Sequence, residues 1–214
     1  MNRIRQIFRT LIAWLGPTPA LPTEAPVTHV LVSIIGAIIG IAGTWWLSVT
    51  ILDESAALWL VASMGASAIL LFGAPLAPLA QPWPLLGGHF VSAIIGVACA
   101  TWLGYDALSA GMAVGLSTGA MLLLRCVHPP GGATALIAVI GGPAVAGLGW
   151  SYIWAPVLLN ATLLLIVALV VNAPFAWRRY PAKDKPPHQS GRAGLNSGRH
   201  YAQRPSQGPD HDPS

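Results

Sequence analysis

The stretch 27–52, VTHVLVSIIGAIIGIAGTWWLSVTIL, decides how the rest of the chain is read. Apart from His29 and small hydroxyl residues it is apolar and uncharged, and it exceeds the roughly 20 residues a helix needs to cross a hydrocarbon core. The same composition continues outward from it. Between Ala25 and Ala176 the only charged residues are Asp53, Glu54, Asp106 and Arg125. Across all 214 residues, 54% are hydrophobic and 8% charged, against about 25% charged in soluble domains. A soluble surface cannot be assembled from that inventory, and the mean hydropathy of +0.63 agrees. The fold class this implies is an all-α integral membrane bundle.

The apolar runs predict six spans at about 27–52, 56–74, 87–105, 107–124, 131–150 and 153–173. The region 131–150 carries Gly141, Gly142 and Pro143 in its interior, which would also suit a re-entrant loop. Charge decides for a full crossing. With an arginine-rich head in the cytoplasm, alternating spans put Asp53, Glu54 and Asp106 outside and Arg125 inside; Arg178, Arg179, Lys183 and Lys185 follow it inside only if 131–150 crosses. The expected location is therefore an inner (plasma) membrane with both termini cytoplasmic. Trp45, Trp46, Trp59, Trp102, Tyr105, Trp150, Tyr152 and Trp154 fall at outer span ends, and Trp14, Trp177 and Tyr180 at inner ones, as an aromatic belt requires.

The flanks differ in character. Residues 1–16 set Arg3, Arg5 and Arg9 among Ile4, Ile7, Phe8, Leu11, Ile12 and Leu15 at helical spacing, which reads as a retained interfacial amphipathic helix rather than a cleaved leader. Residues 17–26, with Pro17, Pro19, Pro22 and Pro26, form a stiff connector; 27–180 is the membrane domain; 181–214 is a polar tail too poor in apolar residues to fold. The basic pI of about 9.5 comes from these flanks, so no nucleic-acid partner is expected; the bilayer is the partner. Cys99 and Cys126 give neither a disulfide framework nor paired metal-ligand spacing.

Small-residue stripes recur at i, i+4: Gly36 and Gly40 in the first span, Gly111, Gly115 and Gly119 in the fourth. They are read as internal helix packing, with a homo-oligomer seam through Gly111, Gly115 and Gly119 as the other use of such a face. Gly65-Ala66-Ser67-Ala68 before Gly73-Ala74-Pro75 parallels Gly132-Ala133-Thr134-Ala135 before Gly142-Pro143. Pairing the first three spans with the last three gives two inverted three-helix repeats, an architecture of secondary transporters.

The run Arg125-Cys126-Val127-His128-Pro129-Pro130-Gly131-Gly132-Ala133-Thr134 turns from one span into the next. Its prolines stop one helix, its glycines permit close backbone approach, and the helix start that results favours an anion, with Arg125, His128 and Thr134 beside it. Pro82-Trp83-Pro84-Leu85-Leu86-Gly87-Gly88-His89 repeats the pattern at the third span. Two glycine-rich helix-start loops on the cytoplasmic side thus make a candidate small-anion site of Arg125, His128, Gly131, Gly132, Thr134, Gly87, Gly88 and His89. The competing reading is two tight turns with histidines in headgroups and a snorkelling arginine. Ser63, Ser67, Ser92, Ser117, Thr118, Asn160 and Asn172 are further candidates to line a polar path, or simply bonds between helices.

His128-Pro129-Pro130-Gly131-Gly132-Ala133 resembles the signature of the HPP family of integral membrane proteins. Met64-Gly65-Ala66-Ser67-Ala68 through Leu71-Phe72, Pro78-Leu79-Ala80-Gln81-Pro82-Trp83 and Gly87-Gly88-His89 resemble its other landmarks, in order, so the likeness covers about 26–180. The resemblance implies the membrane region of the bacterial type and, from plastid and cyanobacterial relatives, nitrite transport. Many bacterial relatives carry CBS nucleotide-sensing modules after the membrane part; the residues after Tyr180 are too few and too polar for one, so adenylate regulation in cis is expected to be absent. The expectation is a transporter or channel for a small inorganic anion, with no catalytic residue, no metal site and no cofactor. The alternatives are a membrane-embedded histidine-based metal or haem enzyme and a non-transporting scaffold. His29, His89 and His128 argue against the enzyme because no two stand at i, i+3 or i, i+4 and no acidic residue accompanies them on a helix face.

Overall fold

A computed structural model describes residues 27–52 and 54–182. The expected amphipathic head, the proline-rich connector, Asp53 and the tail from 183 lie outside the described residues. Helices α1 (Val27–Ile51), α2 (Glu54–Ala68), α3 (Pro82–Leu103), α4 (Ala107–Leu123), α5 (Pro129–Ile140), α6 (Gly142–Ala146) and α7 (Leu159–Asn172) follow in order. A π-turn over Ile69–Gly73 extends α2, another over Ile153–Leu158 leads into α7, and 3-10 turns occupy Pro78–Ala80 and Ala176–Arg178.

Among the described residues, Val27–Ile51, Pro82–Leu103 and Ile153–Asn172 are long and apolar enough to cross a bilayer, while Ala57–Gly73, Ala107–Leu123 and Pro129–Ile140 are apolar but shorter. Two expected boundaries change. The third helix begins at Pro82 rather than Gly87, because prolines at the first helical positions have the right φ and lose only N–H groups that had no partner. Nor is 131–150 one continuous helix. It stops at Ile140, Gly142 turns at φ 76°, α6 covers five residues, and turns lead to Trp150. The 12 residues of α5 rise about 18 Å, short of a core about 30 Å thick. Glycine in a left-handed conformation followed by proline, which cannot donate to the helix, explains the break.

The bundle buries hydroxyl, amide and imidazole side chains within an apolar core and turns large apolar side chains outward. On α1 the buried residues are Gly36, Gly40, Thr44 and Ser48, and its Ile34, Ile38 and Trp46 are exposed. Leu123 is 86% and Trp102 75% exposed, a cost in water that vanishes in lipid. The packing of α1 on α2 and α7, of α3 on α4, α5 and the 153–158 turn, and of α2 on α5 closes the bundle.

The two glycine stripes part company here. A Cβ at Gly36 would lie 2.4 Å from the Phe72 ring and one at Gly40 2.9 Å from Leu164 Cδ2, so those glycines do serve internal packing. At Gly111, Gly115 and Gly119 a Cβ would meet nothing within 4 Å, and all three are exposed. Their expected role inside the bundle is therefore corrected: they line its outer face. Two aromatics also leave the expected belt. Tyr152 and Tyr180 are buried and donate to Thr134 O and Ala80 O, at 2.8 and 2.9 Å.

Candidate functional site

The phase of α3 from its proline start turns Leu85, Gly88, His89, Ser92 and Gly96 inward. On α5 the same periodicity buries Gly131, Thr134 and Ala135. The two backbones come together where side chains are missing. A Cβ on Gly88 would stand 2.6 Å from His128 Cβ and 2.9 Å from Cys126 O; on Gly131, 3.0 Å from Gly88 O; on Gly96, 2.7 Å from Ala135 O. Gly88 and Gly131 are thus the spacers that let His89 and Thr134 meet.

At that contact lies a row of fully buried polar side chains. Ser67 Oγ is 2.9 Å from His89 Nε2 and 3.0 Å from His128 Nε2. His89 Nδ1 is 2.8 Å from Thr134 Oγ1, and His128 Nδ1 is 2.9 Å from Leu79 O. The imidazoles meet edge to face with centroids 5.0 Å apart. Ser63 is 3.4 Å from Thr134 Oγ1. Ser67, His89, His128 and Thr134 all have no exposed surface.

The loop that presents the carbonyl at the end of the row is itself held. Gln81 Nε2 donates to Pro75 O and Ala77 O, both at 2.9 Å, its Oε1 accepts from Ala182 N at 2.9 Å, and Tyr180 OH donates to Ala80 O. The segment after α7 therefore fixes the 75–81 loop that presents Leu79 O. Burial pushes the Tyr180 hydroxyl well above its ordinary pKa, so it remains a donor at physiological pH.

Of the residues expected to bind an anion, His89, His128 and Thr134 converge in one row, with Gly88 and Gly131 as its spacers. Gly87 lies inside α3 rather than at a helix start, its would-be Cβ 3.1 Å from Cys126 Cβ; Gly132 has only Val114 Cγ1, 3.9 Å from such a Cβ. Arg125 is exposed and joins none of the row's hydrogen bonds. It closes α4 at φ 54°: Cys126 N donates to Met121 O at 2.9 Å and Arg125 N to Leu122 O at 3.2 Å, a Schellman pair whose left-handed position usually takes glycine. The start of α5 also offers few N–H donors, because Pro129 and Pro130 have none and Gly131 N donates to His128 O at 2.8 Å.

The sequence marks Ser67, at the centre of the row, as a path-lining hydroxyl and as part of the Gly65-Ala66-Ser67-Ala68 repeat, and not as a bridge between two imidazoles. The signal for more was its place in the repeat: Ser67 and Thr134 are equivalent in the Gly-Ala-Ser-Ala and Gly-Ala-Thr-Ala stretches, and they hold opposite nitrogens of His89. A second missed residue is Arg178, 1% exposed. It donates to Asn172 Oδ1, Phe72 O, His29 and Ser33, tying α1, α7 and the end of the α2 π-turn together.

The family described as HPP, transmembrane region, matches residues 22–181. A transmembrane protein of Dictyostelium discoideum is 37% identical over 172 residues, covering 78% of this chain and 55% of its own length. A second transmembrane protein of that organism is 42% identical over 126 residues, covering 57% of this chain and 44% of its own. The chain spans about half the length of the curated relatives it matches. No solved structure matches it.

Proposed function

The chain belongs to the HPP family of transmembrane proteins, and from that premise we propose that it carries a small inorganic anion, nitrite or one like it, across the membrane, as a transporter or channel and not an enzyme. The observation that carries this reading is the buried Ser67, His89, His128, Thr134 row. It contains two imidazoles able to become positive, while the described carboxylates, Glu54 and Asp106, are exposed. A buried cation would find no counter-charge there, whereas an anion would find a positive partner once an imidazole is protonated. The row also lies between α2 and α5, each interrupted soon after its contribution, as substrate sites in transporters commonly do.

The same reading includes six crossings, both termini in the cytoplasm of a bacterial inner membrane, and inverted halves. Repetition is supported by the matching places of Ser67 and Thr134, and by the way α1 and α4 each pack on the next helix and on the third helix of the other half. The outward Gly111, Gly115 and Gly119 face is where a second copy would pack. Uptake of nitrite, nitrate, formate and chloride into proteoliposomes tests the function. Saturable uptake of one or more supports it; rates equal to empty vesicles for all four refute it.

A further inference from the structure

Only one arrangement of hydrogens makes every contact of the row a hydrogen bond when both imidazoles are neutral, although Ser67 also has Ser63 O at 3.3 Å. Leu79 O can only accept, so His128 carries its hydrogen on Nδ1 and its Nε2 is an acceptor. Ser67 must therefore donate to His128 Nε2. Having one hydrogen, it can only accept from His89, which places the His89 hydrogen on Nε2 and leaves Nδ1 to accept from Thr134. Every hydrogen points the same way, from Thr134 toward Leu79.

We propose that this row is a proton-loading relay, and that it makes anion carriage a proton symport; the symport half rests on the anion reading above, the relay half does not. A proton arriving at Thr134 Oγ1 releases that hydroxyl's own hydrogen to His89 Nδ1. His89 passes its Nε2 hydrogen to Ser67 Oγ, and Ser67 passes its hydrogen to His128 Nε2. One proton has entered, His128 is an imidazolium, and the other three groups are neutral with their hydrogen bonds reversed. The hydrogen now on Thr134 has acceptors within reach, Ser63 Oγ at 3.4 Å and Pro130 O at 3.5 Å. At the entry end, Tyr152, whose hydroxyl donates to Thr134 O, also lines a cavity of about 30 Å³.

The surroundings bind proton and anion together. The titratable groups around His128 are His89 on α3, Cys126 in the same connection, Tyr152 beyond Thr134, and Tyr180 on the loop that presents Leu79; the described acidic side chains are exposed. A buried imidazolium without a counter-ion is disfavoured, and so is a buried anion without a cation. Each therefore stabilises the other, and the loaded pair is neutral.

Two measurements on the full chain test this. In nanodiscs, nitrogen NMR of labelled histidine, assigned with His89→Gln and His128→Gln, should find His128 as the Nδ1–H and His89 as the Nε2–H tautomer at neutral pH. On mild acidification with nitrate, His128 should become an imidazolium while His89 switches to Nδ1–H. A merely structural His–Ser–His contact would not move the His89 tautomer, so His89 staying Nε2–H while His128 protonates overturns the relay, as do matching tautomers at neutral pH. In proteoliposomes containing a pH dye, an inward nitrate gradient should acidify the lumen by one proton per anion, insensitive to clamped potential, and Ser67→Ala should cut acidification at least tenfold. Nitrate entry without acidification overturns the symport and leaves anion carriage standing; acidification that needs no anion supports the relay and overturns the symport. If no anion moves, the symport falls and the tautomer switch alone decides the relay.

Discussion

Nη1 of Arg178 lies 3.1 Å from Nδ1 of His29, a contact that joins the first described helix to the segment after the last. A guanidinium only donates, so His29 carries its ring hydrogen on Nε2. With its further bonds to Asn172, Phe72 O and Ser33, Arg178 works as a buried clasp and is no neutral flank residue.

Arg178→Ala should therefore lower stability by about 2–4 kcal/mol, because several buried acceptors lose a charged donor at once. Arg178→Lys should recover part of it, since an ammonium lacks the planar fork. Exposed Arg179→Ala is the control. Thermal unfolding of the purified variants measures this; equal midpoints for Arg178→Ala and Arg179→Ala would remove the clasp from the account.

The glycines separate by their surroundings. Gly88→Ala and Gly131→Ala force α3 from α5 and should each cost about 1–3 kcal/mol. Gly132→Ala and Gly115→Ala meet no atom closer than 3.9 Å and should hold or gain up to about 1 kcal/mol of helix propensity. Unfolding midpoints that fall alike in all four would contradict the glycine-spaced contact.

Arg125 tests where the anion sits. An exposed charge contributes about 1 kcal/mol or less, so Arg125→Ala should slow uptake less than about fivefold, and less still at high salt. Arg125→Gly loses the same charge but relieves the left-handed backbone, and should be the more stable by about 1 kcal/mol. A loss of one to two decades in affinity, the mark of a direct charge-assisted bond, would put the anion back at the α4–α5 turn.

Topology has its own assay. Reporters fused near Gly16 and after Arg179 should both read cytoplasm, and one at Glu54 the outer face. An external signal after Arg179 would make α5 and α6 a re-entrant pair and end the six-crossing reading.

The membrane class and the helices were legible because apolar runs and the absence of charge carry that information residue by residue. The break at Gly141 and Gly142 was visible as composition, but charge alternation spoke only for a full crossing there, and charge counts crossings without regard to helical continuity. At the site, His89, His128 and Thr134 were legible as unusual polar residues near glycines. Ser67 was not, since its role depends on three helices meeting around one hydroxyl. Arg125 attracted the anion argument as the lone cation inside the apolar region; Arg178, two residues past its edge, looked like a flank charge until the fold buried it.

The central claim is that an anion passes through the Ser67, His89, His128, Thr134 row, and Ser67→Ala tests it most directly by leaving both imidazoles in place while removing the bridge between them. Nitrate uptake should be compared, at the mildly acidic pH that loads the row and with an anion whose conjugate acid does not leak, in proteoliposomes holding equal amounts of parent, Ser67→Ala and Arg125→Ala. The account predicts saturable uptake by the parent, a rate near that of empty vesicles for Ser67→Ala, and most of the parent rate for Arg125→Ala. Parent-like uptake by correctly folded Ser67→Ala would contradict it.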